Sequence, residues 1–566
     1  MPHQAVAAGK RTPVEQRSVD ALIKAAQHAE SSCGAPAAFP FKLCPHRIRA
    51  SGDACLCGIL LAGPDRAKGQ PSGFLQNAGF RTHPRPPLNS TRKKFGFQLI
   101  FSNAEVAGQL ILSMVLARLL DPDDIGVYSM SAVLVAVAHL FRDFGVTAFI
   151  KRQKELSEDT LRSALGVVMC TSWTMALVMF LSAPLWSAFF NEPRVEHVVQ
   201  VLAMGFVLIP FGALPGAILV RNMEVVRTAK AGLIALGVYF VVSVVLALQG
   251  FGHMTMAWAN LINIATHVTA VRLLSTTKTP WIPGLKHWGR VANFGVGAMI
   301  TSAMTAIDNA IPDIALGRLS TPTNVGFFSK ANSTINIASS GVMPAVNYFA
   351  LPYMARLHHG QGDIAAEVCR VTSYLATLLL PAMAMTALLA NEVIFLLYGA
   401  KWLPSAVAVP WLCVSAGLGV LFSFVPAALM GIGKPYVAGL PMVLLLCLKA
   451  VFILLLFNGS LQSFAEAMVV AQVLTVPMGL WIQYRYLGIA PGRWLAMAAR
   501  VVGLTLVLLG SMLALKWALP PLPAWATVLA LGLPAAIGWA VLLRLFGLPL
   551  YGELRTLFVR WRQRGA

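Results

Sequence analysis

Charge is scarce in this chain. Asp, Glu, Lys and Arg make up only 12% of its 566 residues, about half the share of an ordinary soluble domain. That poverty excludes a water-soluble globular protein. Acids are the scarcer sign, 23 against 44 bases. Cysteine is scarce as well. Its eight residues are scattered, and of Cys33, Cys44, Cys55 and Cys57, which lie near His46, only Cys55 and Cys57 are close. A zinc finger needs two close pairs, so no metal site is expected there. Long connections are missing too: the longest on one side is the fourteen residues from Asn391 to Pro404. A membrane glycosyltransferase, polymerase or ligase needs a larger domain to hold catalytic groups, so the chain reads as no enzyme.

What is present is apolar. Such residues form 57% of the chain, and from Phe95 onward they recur in runs long enough to cross about 30 Å of hydrocarbon as helices. Fourteen spans are expected, at 95–119, 125–150, 161–190, 195–220, 231–250, 253–275, 291–317, 325–351, 366–390, 405–432, 436–457, 461–484, 495–517 and 523–547. The third is expected to be a span plus an interfacial turn. The fold class is therefore an all-α integral membrane protein.

The basic excess sorts by side. Alternate connections, among them "KRQKELSEDTLR" from Lys151 and "RNMEVVRTAK" from Arg221, hold 22 Lys and Arg after residue 94, and the opposite side holds 5. The positive-inside rule then puts both termini in the cytoplasm. This distribution accounts for the net charge of +21 through topology and lipid head groups, so nucleic acid is no expected partner. The first 94 residues are polar and Pro-rich and read as a disordered cytoplasmic extension. An alternative start of translation near residue 88 would need a non-Met codon, since no Met lies between Met1 and Met114.

One turn is written twice. "RLLDPDDIGVYSM" from Arg118 returns 200 positions later as "RLSTPTNVGFFSK" from Arg318. Arg118, Pro122 and Gly126 match Arg318, Pro322 and Gly326, and each copy joins two apolar runs. Such a repeat points to two related halves. The proline fixes the turn backbone, and the glycine allows close helix approach. Polar stripes extend the repeat down the helices. Gln98, Ser102, Glu105, Gln109 and Ser113 share one face of the first span; Thr301, Thr305, Asp308 with Asn309, and Asp313 share one of the seventh. The eighth adds Lys330, Asn332 and Asn336.

Isolated hydroxyls and amides in such stripes commonly serve helix packing. Intramembrane charge is costly and marks function. The substrate-cavity and ion-coupling candidates are therefore Glu105, Gln109, Asp308, Asn309, Asn332 and Lys449. Asp308 lies near the bilayer midplane with no cation of its own hairpin at that depth, and Lys449 is its candidate partner across the half. Asp313 and Lys330 lie at similar depth near the turn and are expected to pair as a clip or gate.

These features resemble the polysaccharide-transporter branch of the multidrug/oligosaccharidyl-lipid/polysaccharide (MOP) exporter superfamily, the Wzx-type flippases. The resemblance covers residues 95–550. "ARLLDPDDIGVYSM" from Ala117 stands where the family reads approximately A-R-x-L-G-P-E-D-F-G-x-Y, and "RDFGVTAFIKRQKELSEDTLRSA", "ALPYMARL" and "LLYGAKWLPSAVAVPWL" also match. It implies two six-helix lobes, 95–275 and 291–484, joined by a cytoplasmic linker at 276–290. Two further helices within 485–547 and a basic tail at 548–566 complete the expected layout. It further implies alternating access at a bacterial inner membrane, with a lipid-linked oligosaccharide as substrate and membrane lipids, a polysaccharide polymerase and chain-length machinery as partners. No resident cofactor is implied beyond a coupling H+ or Na+. The family's cavity is cationic; the intramembrane cations here are Arg142, Lys330 and Lys449. Within the superfamily the alternative is a cation-coupled multidrug exporter, which usually has twelve spans and a more acidic interior.

Overall fold

The structure, a computed structural model, describes residues 88–143, 157–284 and 306–564, a few single positions excepted, together with residues 146 and 150. The extension before residue 88, with its four cysteines, and Thr301, Ser302 and Thr305 lie outside the described residues.

Every described element is helical. In the first half they are α1 (Leu88–Leu119), α2 (Pro122–Asp143), α3 (Glu158–Phe190), α4 (Arg194–Arg221), α5 (Val225–Leu248) and α6 (Met254–Leu274). The second half runs through α7 (306–319), α8 (Pro322–Ser340), α9 (Met343–His359), α10 (Ile364–Leu388), α11 (Ala390–Tyr398) and a 3-10 segment, Ala400–Val407. It continues with α12 (Val409–Val420), α13 (Val425–Gly431), α14 (Pro435–Leu456) and α15 (Leu461–Leu487). Last come α16 (Pro491–Ala518), α17 (Ala524–Leu545) and α18 (Pro549–Arg564). Among the described residues nine helical stretches, counting α12 and α13 as one, are long and apolar enough to cross a membrane.

Among the described residues a helix lies in each expected run, the second continuously only to Asp143 and the seventh only from residue 306, and the departures have local causes. The third run is one 33-residue helix that carries Pro184 inside it, with no interfacial turn. The eighth breaks between Ser340 and Met343, just before Pro344, which lacks an N–H and disfavours helix in the residue ahead of it. The tenth breaks at 421–424, where Phe422, Ser423 and Val425 donate back to Gly419, Val420 and Phe422 in tighter 3-10 fashion. Helix begins at Leu88, six residues before the expected boundary of the extension. The connection from Asn391 to Pro404 is folded as α11 and the 3-10 segment. The basic tail is the helix α18, which packs on α10.

Packing repeats between the halves. In the first, α3 packs on α4, α4 on α6 and α5 on α6; in the second, α10 packs on α12, α12 on α15 and α14 on α15. The outward faces stay apolar: Leu177, Leu181 and Leu185 on α3, and Leu454 and Leu455 on α14, are all exposed. In water that arrangement would be costly, whereas in a bilayer such faces meet acyl chains. After the second half, α16 packs on α10 and α17, and Trp539 Nε1 of α17 donates to the Thr377 carbonyl at 2.9 Å.

Candidate functional site

The two copies of the repeated turn pack against each other. A Cβ placed on Gly126 would overlap the backbone carbonyl oxygen of Pro322, and one placed on Gly326 would overlap that of Pro122. The contact is reciprocal under the same shift of 200, so α2 and α8 cross about a local two-fold axis. Only hydrogen fits at either glycine, because the neighbour is backbone and cannot rotate away. The turn is thus written twice because each copy's proline is the surface on which the other copy's glycine rests.

The repeated arginines obey the same exchange. Arg118 Nη2 of the first half donates to the Leu396 carbonyl at 2.9 Å, in the last turns of α11. Arg318 of the second half reaches Asn191 after α3: with its amide turned to accept, Asn191 takes a hydrogen bond from Arg318 Nη1 at 2.8 Å and donates to the Ala188 carbonyl. The Arg318 guanidinium also lies 5.6 Å from the Phe189 ring centroid. Each arginine therefore caps a helix end of the opposite half, where unpaired carbonyls favour a cation. One position earlier in the repeat, Ala117 and Gly317 each receive an aromatic residue. Trp402 Nε1 donates to the Ala117 carbonyl at 2.6 Å, and the Phe190 ring lies 2.8 Å from the place where Gly317 would carry a Cβ.

Ionic contacts ring this crossing. Arg194 Nη1 lies 2.5 Å from Asp123 Oδ2 and its Nε 2.7 Å from Glu192. Thr323 Oγ1 of the second half donates to Asp123 Oδ1 at 3.3 Å. Lys401 bonds the Leu120 carbonyl and lies 3.3 Å from Asp121. In the loop between α3 and α4, the Arg194 hydrogen bond holds the Glu192 carboxyl below the ordinary carboxylate range. Burial lowers the His253 imidazole, which sits 3.8 Å from Asp124.

Deeper in the bundle the expected residues separate into two groups. Gln109 on α1, Asn309 on α7 and Asn332 on α8 each lie ten residues from the turn end of their helix, about 15 Å down. All three amides are exposed. Asp308 is instead paired: Lys449 Nζ of α14 lies 2.5 Å from its Oδ1, with side chains 8% and 22% exposed for Lys449 and Asp308. Glu105 packs its carboxylate against Gly232 of α5.

The expected Asp313–Lys330 pair is not made. Lys330, 5% exposed, instead reaches across to the first half, where its Nζ donates to Ser113 Oγ at 2.9 Å and lies 3.5 Å from the Ser113 carbonyl oxygen. The rings of Tyr398 and Trp402 flank it at 5.2 and 5.7 Å. The expectation compared depths within one hairpin and missed the neighbour supplied by the other half. Trp402 and Tyr398, both fully buried, were also missed as site residues. The signal for them was an indole and a phenol flanking the Gly399–Lys401 turn.

The comparisons with known proteins agree with this frame. A family profile described as a polysaccharide biosynthesis protein matches residues 115–407, more than half of the chain. The chain belongs to that family. It is similar to the succinoglycan biosynthesis transport protein ExoT of Rhizobium meliloti (strain 1021), at 21% identity over 62% of this chain and 71% of that protein. It is also similar to the lipopolysaccharide biosynthesis protein WzxC of Escherichia coli (strain K12), at 23% identity over 54% of this chain and 62% of that one. The alignment thus spans less than two thirds of WzxC. Among solved structures it is similar to the lipid II flippase MurJ in an inward closed conformation, with a TM-score of 0.64 at 11% identity over 81% of this chain and 99% of that chain. An inward-facing multidrug resistance MATE transporter of the MOP superfamily matches with a TM-score of 0.51 at 14% identity, covering 68% of this chain and 98% of that chain. The polysaccharide biosynthesis protein is therefore a multi-pass membrane protein with the MOP-superfamily fold.

Proposed function

We propose that this protein is a flippase that carries an undecaprenyl-pyrophosphate-linked oligosaccharide from the cytoplasmic to the outer leaflet of a bacterial inner membrane, for O-antigen, capsule or exopolysaccharide synthesis. The observation that carries the reading is the reciprocal Gly126–Pro322 and Gly326–Pro122 crossing: it closes one end of the bundle by contact between two repeated lobes and leaves exposed amides about 15 Å beneath. Two bodies that meet at one end through a glycine-to-backbone crossing are suited to alternating access. The charge asymmetry of the connections orients the turn end outward and both termini into the cytoplasm. The lobes are 95–275 and 291–484, with α16 and α17 as an added pair. Amides at mid-depth cannot face hydrocarbon without loss, and Gln109, Asn309 and Asn332 can hydrogen-bond sugar hydroxyls in a wet cavity. The names of ExoT and WzxC, a succinoglycan transport protein and a lipopolysaccharide biosynthesis protein, support the glycan over a drug. The likeness to MurJ, a lipid II flippase, supports a lipid-linked cargo.

Asp308 is assigned the coupling role. Its pair with Lys449 is intramembrane and partly open on the carboxylate side, so a proton or sodium ion entering from the cavity competes with the ammonium for Asp308 and loosens the seam between α7 and α14. The test uses proteoliposomes with the lipid-linked oligosaccharide in both leaflets and follows the fraction of glycan open to an added membrane-impermeant lectin. That fraction should change with an imposed pH or sodium gradient for the wild type. Asp308→Asn should abolish the gradient response, and adding Lys449→Met should not restore it. An unchanged fraction for the wild type refutes the flippase reading. Restored transport in the double variant removes Asp308 from coupling and leaves the pair a structural one.

A further inference from the structure

The Lys330 ammonium stands buried against a neutral partner while a carboxylate of its own hairpin stands nearby without one. Among the described residues Asp313 makes no hydrogen bond or ion pair. Lys330 reaches the other half, and Asp313 lies on a helix face that meets it. Lys330 follows Gly326 by one helical turn, and Gly326 rests on Pro122; Asp313 precedes Gly317 by one turn, and Gly317 faces Phe190 and the Met130 methyl group. Counted from the turn, Asp313 on α7 and Lys330 on α8 lie within about one helical turn of each other in depth.

The shift of 200 shows what closure does to them. The counterparts of Asp313 and Lys330 in the first half are Ser113 and Met130. At the closed crossing Lys330 meets Ser113 and the Asp313 face meets Met130. When the halves part at the turn end these neighbours are lost, and each residue keeps only neighbours of its own half. Asp313 then has Lys330, and Ser113 has Met130.

We infer that Lys330 is a two-position switch: it bonds Ser113 when the turn end is closed and pairs with Asp313 when it is open, so that the ion pair forms only on opening and drives the closed end apart. The inference rests on the alternating-access reading above. It concerns the lobes alone, so its test needs no substrate. Closed ends are reported by a cysteine pair at Asp123 and Thr323, whose side chains touch across the crossing at 3.3 Å, in protein whose native cysteines are replaced by serine. Asp313→Asn removes only the open-state partner and should raise the initial cross-linking rate. Ser113→Ala removes only the closed-state partner and should lower it, each by about tenfold, the worth of one hydrogen bond to a charged group. In a Lys330→Met background Ser113→Ala should be silent, and the Asp313→Asn shift should shrink.

Opposite shifts from the two single variants support the switch even where glycan flipping fails, which separates its fate from that of the proposed function. Shifts of the same sign, no shift from either variant, or a Ser113→Ala effect that persists without Lys330 overturns it. Both single variants are small surface-preserving changes. Should the paired cysteines impair folding of either, reactivity of Met130→Cys toward an impermeant maleimide gives the same two signs in reverse.

Discussion

Adding one methyl group at Gly126 should hold the turn end open. The Cβ of Gly126→Ala meets a backbone carbonyl of α8, not the end of a flexible side chain, so relief requires the helices to separate. Overpacking of this kind costs about 1–3 kcal/mol. Alanine also gains about 1 kcal/mol of helix propensity over glycine, but α2 is helical whether the end is open or closed, so that gain cancels from the ratio of the two states. What remains shifts the balance toward open by about 5- to 150-fold. Met130 is fully buried at the crossing, and Met130→Cys in an otherwise cysteine-free protein reports opening through its rate of labelling by an impermeant maleimide added on the turn side. Gly126→Ala and Gly326→Ala should each raise that rate by the stated factor. Together they should add little more, because the first substitution already separates the surfaces on which the second would collide. Gly126→Leu should go further and reduce the folded protein. Labelling of both alanine variants at the parent's rate, with transport intact, would show that the crossing is not what closes this end.

Three further outcomes can be measured. Asp308→Asn should lower unfolding stability in detergent by about 3–5 kcal/mol, since it strands the buried Lys449 ammonium, Lys449→Met should cost less because the Asp308 carboxylate is partly open, and the double variant should recover most of the Asp308→Asn loss; equal loss in Asp308→Asn and the double variant would contradict the pairing. A shortened protein starting near Pro87 should insert and support polysaccharide export as the full chain does, and loss of insertion would refute the dispensability of residues 1–87. Glu192 has its folded-state pKa depressed by Arg194; its contribution is therefore present above the unfolded carboxylate value of about 4.3 and lost as pH falls through the lower folded value. Glu192→Gln should flatten that acid limb, and an unchanged limb would assign it to another group.

The helices were legible in the sequence because apolar runs of bilayer length leave little alternative. The repeat was legible because proline and glycine stand at fixed places in both turns. What the turns touch was not. Periodicity places Gly126 and Gly326 on a face of a helix, but that the opposing surface is the proline of the other copy follows only from folding the two halves together. The same limit explains Lys330. Depth along two adjacent helices predicts a partner within the hairpin and is blind to a hydroxyl arriving from the first half. Asp308 and Lys449, in contrast, could be matched in advance, since both sit in the same half at depths that few other charged side chains share.

The repeat is informative where it fails. At the crossing one half carries Asp313 and Lys330 and the other Ser113 and Met130, and the switch depends on that difference. Were both halves charged alike, closure would exchange two pairs within hairpins for two pairs between halves, and neither end state would gain. With serine and methionine in the first half, closure offers the Lys330 ammonium a hydroxyl rather than a carboxylate and brings Met130, not a cation, to the helix face that carries Asp313, so this one ion pair favours the open end. Restoring the symmetry should therefore erase the bias. Ser113→Asp combined with Met130→Lys supplies both missing charges, and closure then makes a pair at each of two sites. Cross-linking between cysteines at Asp123 and Thr323 should rise well above that of the parent, and glycan flipping should slow as the turn end opens less often. Ser113→Asp alone should raise cross-linking as well, because its carboxylate meets Lys330 directly in the closed crossing, whereas Met130→Lys alone adds a second ammonium near Asp313 and should act more weakly. Cross-linking of the combined variant at or below the parent's rate would mean that the two charged positions do not trade partners on closure, and that the broken symmetry serves packing only.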